Sequence, residues 1–134
     1  MIRKTFLSIA FIGGICWLAM AQEDTLQQSI KRGEEVYSAN CATCHMAEGE
    51  GVESAFPPLA KTDYVKDAKR AINIILKGQE GEIKVNGKTY NVPMAALSQL
   101  TDQQVADVLN YVRNSWGNKN AMIKAAQVSV ERGK

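Results

Sequence analysis

Three stretches of the chain repeat apolar residues at helical spacing. In the first, Leu26 to Ala39 runs without proline, and Ile30, Gly33 and Tyr37 fall on one face, which predicts a helix. Glycine inside a helix costs about 1 kcal/mol against alanine, so Gly33 marks a place where another helix crosses closely. In the second, Ala68, Ile72 and Ile75 share a face with Ala71 beside them, predicting a helix from Ala68 to Leu76. A short helical piece near Asp63 to Lys66 precedes it, and Gly78 and Gly81 close it. The third begins at Thr101, with Gln104 placed to complete a capping box, and carries Val105, Val108, Leu109 and Val112 at i, i+3, i+4 and i+7. Tyr111 and Trp116 add aromatic surface, and Gly117 stands where a helix stop belongs. Between the second and third helices, Glu82 to Tyr90 alternates around Asn86-Gly87, the dipeptide of two-residue hairpin turns. Asn118 to Lys134 has the pattern for one more amphipathic helix around Ile123 to Val130. The expected fold class is all-α: three main helices, short helical pieces and a small β-hairpin.

The first 21 residues follow another pattern. Arg3 and Lys4 form a basic start, Phe6 to Leu18 is apolar and uncharged, and Ala19-Met20-Ala21 supplies small residues before a cleavage point. This is the pattern of a signal peptide cut before Gln22. The apolar run falls short of the roughly 20 residues a membrane span needs, so an uncleaved anchor is the weaker reading. Bulky Ile15 argues against lipidation at Cys16. The expected organisation is a signal peptide over 1–21, one domain over 22–117 and a tail over 118–134, in a chain with a periplasmic or otherwise exported destination. Of the 16 basic residues, Arg3 and Lys4 leave with the signal, and the rest balance the 14 acidic ones. With no basic stripe, nucleic acid is excluded as a partner.

Removal of Cys16 leaves Cys41-Ala42-Thr43-Cys44-His45 as the concentration of chemistry. Zinc wants four ligands, and the remaining chain has no third cysteine and no second histidine. A thioredoxin-type dithiol wants a βαβ surround that the pattern does not provide. A plain disulfide with His45 as a chance neighbour is the bland alternative. The CxxCH spacing instead matches one covalent haem c, with Cys41 and Cys44 in thioether bonds and His45 on the iron.

A sixth ligand must then come from elsewhere, and no other histidine exists. Met46 adjoins the proximal ligand and cannot reach round the ring, whereas Met94 follows Pro93 on a segment free to lie over the far face. Met122, in the tail, is the other candidate. Pro57-Pro58 stiffens the loop after the motif and can hold a backbone carbonyl against the ring N–H of a ligating histidine, fixing its tautomer.

Gly33, Tyr37 and Cys41 at spacings of four, the CxxCH motif, Pro57-Pro58-Leu59, Met94 and a last helix with Val108 and Tyr111 together resemble class I c-type cytochromes of the small bacterial periplasmic kind. The likeness spans nearly all of Ser29 to Gly117. It implies a cytochrome c fold around one haem, with Gly33 and Tyr37 packed on Val108 and Tyr111. It also implies that the Pro57 carbonyl accepts from His45 and that Met94 completes the iron's ligands. The implied function is one-electron transfer without a small-molecule substrate. The implied partners are redox proteins (a dehydrogenase, reductase or oxidase), met by a monomer or by a subunit of a complex. The competing reading is a haem enzyme or gas sensor with an open sixth site, for which no distal histidine is at hand. The segment Val92-Pro93-Met94 lacks the glycine that often precedes the axial methionine in that family, and the tail beyond Gly117 has no counterpart in its minimal pattern.

Overall fold

The computed structural model describes residues 24–134; the expected signal peptide lies outside them. The order of elements is α1 (Leu26–Asn40), α2 (Ala42–His45), α3 (Ala68–Lys77), β1 (Ile83–Val85), β2 (Lys88–Tyr90), α4 (Asp102–Val112) and α5 (Ala125–Arg132). No helix among the described residues is long and apolar enough to cross a membrane.

Helix α1 starts on a capping box in which Thr25 and Gln28 satisfy each other's backbone N–H groups. Its buried face is Ser29, Gly33 and Tyr37, so Ser29 replaces the expected Ile30. The reason is polar: Ser29 Oγ donates to Asp107 Oδ1 at 2.5 Å and accepts from Asn110 Nδ2 at 2.8 Å, both on α4. Gly33 lies against α4 so closely that a Cβ built on it would sit 2.0 Å from the Asp107 carbonyl oxygen and 2.9 Å from Tyr111 Cβ. Tyr37 continues the contact, with its ring 5.4 Å from Tyr111 and 5.0 Å from Trp116 between centroids. The expected pairing of α1 on Tyr111 is present, and Trp116 joins it.

The Asp107 carboxylate, 2 % exposed, also receives Arg32 Nε at 2.7 Å, and Arg32 reaches on to Asp24. Taking a carboxylate out of water is costly unless it is paired and hydrogen-bonded. Here it is both, which fixes how α1 and α4 sit on one another.

Helix α4 opens on the expected Thr101–Gln104 capping box, and α3 is capped by Asp67, whose side chain accepts from Arg70 N–H. Asp63 to Lys66 is a turn and not the short helix expected, and its Val65 and Lys66 carbonyls are taken by Arg113. The hairpin forms as anticipated, Ile83 pairing Tyr90 and Val85 pairing Lys88, with Asn86 and Gly87 both at positive φ.

The tail forms α5, which begins two residues later than the periodicity implied. Ile123, 1 % exposed, is used before the helix starts: its N–H donates to Asn110 Oδ1 at 2.7 Å and its carbonyl accepts from Asn110 Nδ2 at 2.8 Å. The buried Arg113 guanidinium holds the carbonyls of Val65, Lys66 and Ala121 at 2.8–3.0 Å, stitching the tail to the turn before α3.

Candidate functional site

A single helical turn brings the motif's chemistry to one side. Cys41 ends α1, its N–H donating to the Tyr37 carbonyl at 2.8 Å, and its own carbonyl receives the N–H of His45 at 2.9 Å. Residues at i, i+3 and i+4 of a helix share a face, so Cys41, Cys44 and His45 project together. All three line an apolar cleft of about 360 Å³, within the range of cofactor sites. Ile75, Val108 and Leu109 contribute to its walls, and among the described residues that line it there is no Asp, Glu, Lys or Arg.

Both thiols are free and half-buried. Burial pushes the Cys41 thiol up to about 11, with Cys44 adding to the shift. Such a thiol stays protonated at neutral pH, the opposite of what a dithiol redox catalyst needs.

The loop after the motif delivers a carbonyl to His45. Nδ1 lies 2.9 Å from the Pro57 oxygen. A carbonyl can only accept, so Nδ1 carries the proton and Nε2 keeps its lone pair for a metal. Gly51 makes this approach possible. At φ +67° it donates to the His45 carbonyl at 3.0 Å, and a Cβ on it would fall 2.8 Å from the carbon and oxygen of the Pro57 carbonyl. The Leu59 and Ala60 N–H groups close the loop onto Gly49 O at 2.7 and 2.9 Å, while Tyr37 Oη donates to Met46 O at 2.6 Å.

Met94 reaches the same cleft from another direction. Its backbone exchanges two hydrogen bonds of 2.9 Å with Gln79, just past the end of α3, and its side chain is half-buried in the lining. Neither Met46 nor Met122 lines the cleft. Sequence reasoning missed Tyr64, Tyr90 and Gln79 as lining residues; the hairpin register, which sets Tyr90 on the buried side, was the one available signal for Tyr90.

His45 is 9 % exposed. Burial holds its pKa below the ordinary imidazole value of 6.5, an effect the Pro57 bond only partly offsets. In the folded chain without haem the ring is therefore held neutral, with Nε2 available to a metal.

The donor set fits a haem: two free thiols one turn apart, a neutral imidazole with Nε2 unengaged, and a thioether, all in one apolar cleft. Comparison with known proteins agrees. The cytochrome c family model matches residues 30–116. One cytochrome c-552 of Thermus thermophilus is 36 % identical over 121 residues, covering 87 % of this chain and 74 % of that protein. A second Thermus thermophilus cytochrome c-552 is 40 % identical over 91 residues, 64 % of this chain and 69 % of that one. The cytochrome c subunit of a quinone alcohol dehydrogenase from Gluconobacter oxydans is 39 % identical over 93 residues, 64 % of this chain but only 18 % of that protein. On its fold, its cleft and these matches, the chain belongs to the cytochrome c family, as an electron-transfer protein with one covalently attached haem c.

Proposed function

We propose that Cys41 and Cys44 would hold the haem by thioether bonds, that His45 and Met94 would ligate its iron, and that the domain over 22–117 passes single electrons between redox proteins in an exported, periplasmic setting. When bound, the haem would supply the one-electron chemistry. The observation that carries the reading is the cleft itself, because the four side chains come from two distant stretches of sequence and meet in one apolar space.

Each residue's part follows from its surroundings. The Pro57 carbonyl orients the His45 ring and raises its basicity. The Met94 thioether is a soft donor that favours ferrous iron, and the apolar lining disfavours the extra charge of the ferric state. Met94 is tied to Gln79 through its backbone, so the ligand can stay in place in both oxidation states. Among the described residues, the cleft offers no Asp, Glu, Lys or Arg to act on a bound substrate. That weighs against an open-site enzyme or gas sensor.

A second reading, an electron-transfer subunit of a larger dehydrogenase, draws support from the relatives named as cytochrome c subunits of a quinone alcohol dehydrogenase and, in Pantoea cypripedii, of gluconate 2-dehydrogenase. It requires the same ligands and the same chemistry, and differs only in whether the partner stays bound.

The attachment is tested by the C41A/C44A double variant. Denatured wild-type protein should keep its haem through acid–organic extraction, whereas the double variant should release it. Retention by the double variant would overturn the assignment.

A further inference from the structure

The segment that carries Met94 has little structure of its own. Residues 91–99 form neither helix nor strand beyond the single Gln79–Met94 bridge, and most are exposed. Past Met94, the Leu97 N–H donates to the Ile75 carbonyl at 2.8 Å, tying it to α3. At its far end the segment is held by the tail. Arg132, the last residue of α5, donates from one guanidinium nitrogen to the Ser98 carbonyl at 3.0 Å and from another to the Leu100 carbonyl at 2.6 Å. Its Nε donates to Asp102 Oδ1 at 2.7 Å, in the first turn of α4. The neighbouring Glu131, buried in the fold, accepts from Asn73 of α3 at 3.1 Å. Helix α5 thus spans both anchors of the Met94 segment, α3 and the start of α4. Arg132 lies beyond the residues 30–116 that match the family model.

We propose that Arg132 is a positioning residue for the sixth ligand: by clamping the Ser98 and Leu100 carbonyls to Asp102, it keeps the Met94 segment closed over the cleft. The proposal rests on the reading of Met94 as an iron ligand. Opening of a segment with few tethers is governed by those tethers and not by global stability. A guanidinium fork on two carbonyls and a carboxylate is the strongest tether this one has, since hydrogen bonds from charged donors exceed neutral ones. An external ligand can take the iron only in the opened state, so its apparent affinity rises in proportion to the population of that state.

The test is an imidazole titration of the ferric holoprotein, followed by loss of the sulfur-to-iron charge-transfer band at the red end of the spectrum. In R132A, imidazole should bind roughly tenfold more tightly than in wild type, the loss expected for a partly exposed charged fork. R132K, which keeps the charge but not the fork, should fall between the two. Val105, fully buried in α4 and outside the cleft lining, supplies the control. V105A should lower the denaturant midpoint at least as much as R132A, yet leave imidazole affinity within about twofold of wild type, because the cavity it opens removes none of the hydrogen bonds that hold the segment. Wild-type affinity in R132A, or an equal rise in V105A, would overturn the positioning role. The ligand reading is separated by M94A: persistence of the sulfur band there would refute Met94 as ligand whatever Arg132 does.

Discussion

Replacing Met94 by alanine should leave the haem covalently bound, abolish the sulfur-to-iron band of the ferric protein and lower the reduction potential by on the order of a tenth of a volt or more. Attachment survives because Cys41 and Cys44 lie at the start of α2 and within it, away from the Met94 segment. The fold survives because the tie between this segment and Gln79 runs through backbone N–H and carbonyl groups, which truncation of the side chain does not touch. The potential falls because the soft donor that favours ferrous iron is gone and the space it leaves admits water, a harder ligand. Redox titration and the absorption spectrum read the two effects separately. An unchanged spectrum would move the assignment to Met122, which lies outside the cleft lining.

Gly33→Ala should cost at least about 3 kcal/mol of stability, towards the upper end of overpacking effects. Helix propensity alone argues the other way, since alanine is better than glycine in a helix interior by about 1 kcal/mol. The geometry decides it. The added Cβ would sit 2.0 Å from the Asp107 carbonyl oxygen and 2.5 Å from its carbon, and a helix backbone cannot step aside as a flexible side chain can. Relief requires α1 to move off α4, which would stretch the Ser29–Asp107 and Arg32–Asp107 bonds of 2.5 and 2.7 Å. The Asp107 carboxylate would then lose its charged partner Arg32 and keep only Gln103 of its own helix, which donates to it at 3.0 Å. Guanidinium unfolding of the holoprotein measures the effect, and a midpoint close to wild type would show that the helices do not cross at Gly33.

The parts of the fold that depend on neighbours in sequence were legible in it. Thr101 and Gln104 cap α4 because both partners lie within one turn, and Asn86-Gly87 makes the hairpin because two residues determine that turn. The motif from Cys41 to His45 could be read for the same reason, as a single turn places all three side chains. What escaped depends on contacts far apart in the chain. Ser29 displaces Ile30 from the buried face only because Asp107 and Asn110 meet it from α4, and no local period encodes that. Nothing local sets Gly51 apart from other glycines, yet it makes room for the Pro57 carbonyl beside His45. The tail could be read as an amphipathic helix, but not that Ile123 is tied to Asn110, or that Arg132 returns to Ser98 and Leu100.

The central claim is that the iron is closed on both sides by this chain's own side chains. The most direct test exposes the reduced holoprotein to carbon monoxide at neutral pH while its visible spectrum is followed. With His45 and Met94 both held in place, the ferrous spectrum should persist without change on mixing. Immediate conversion to a carbon monoxide complex would contradict the account and point to an open sixth site.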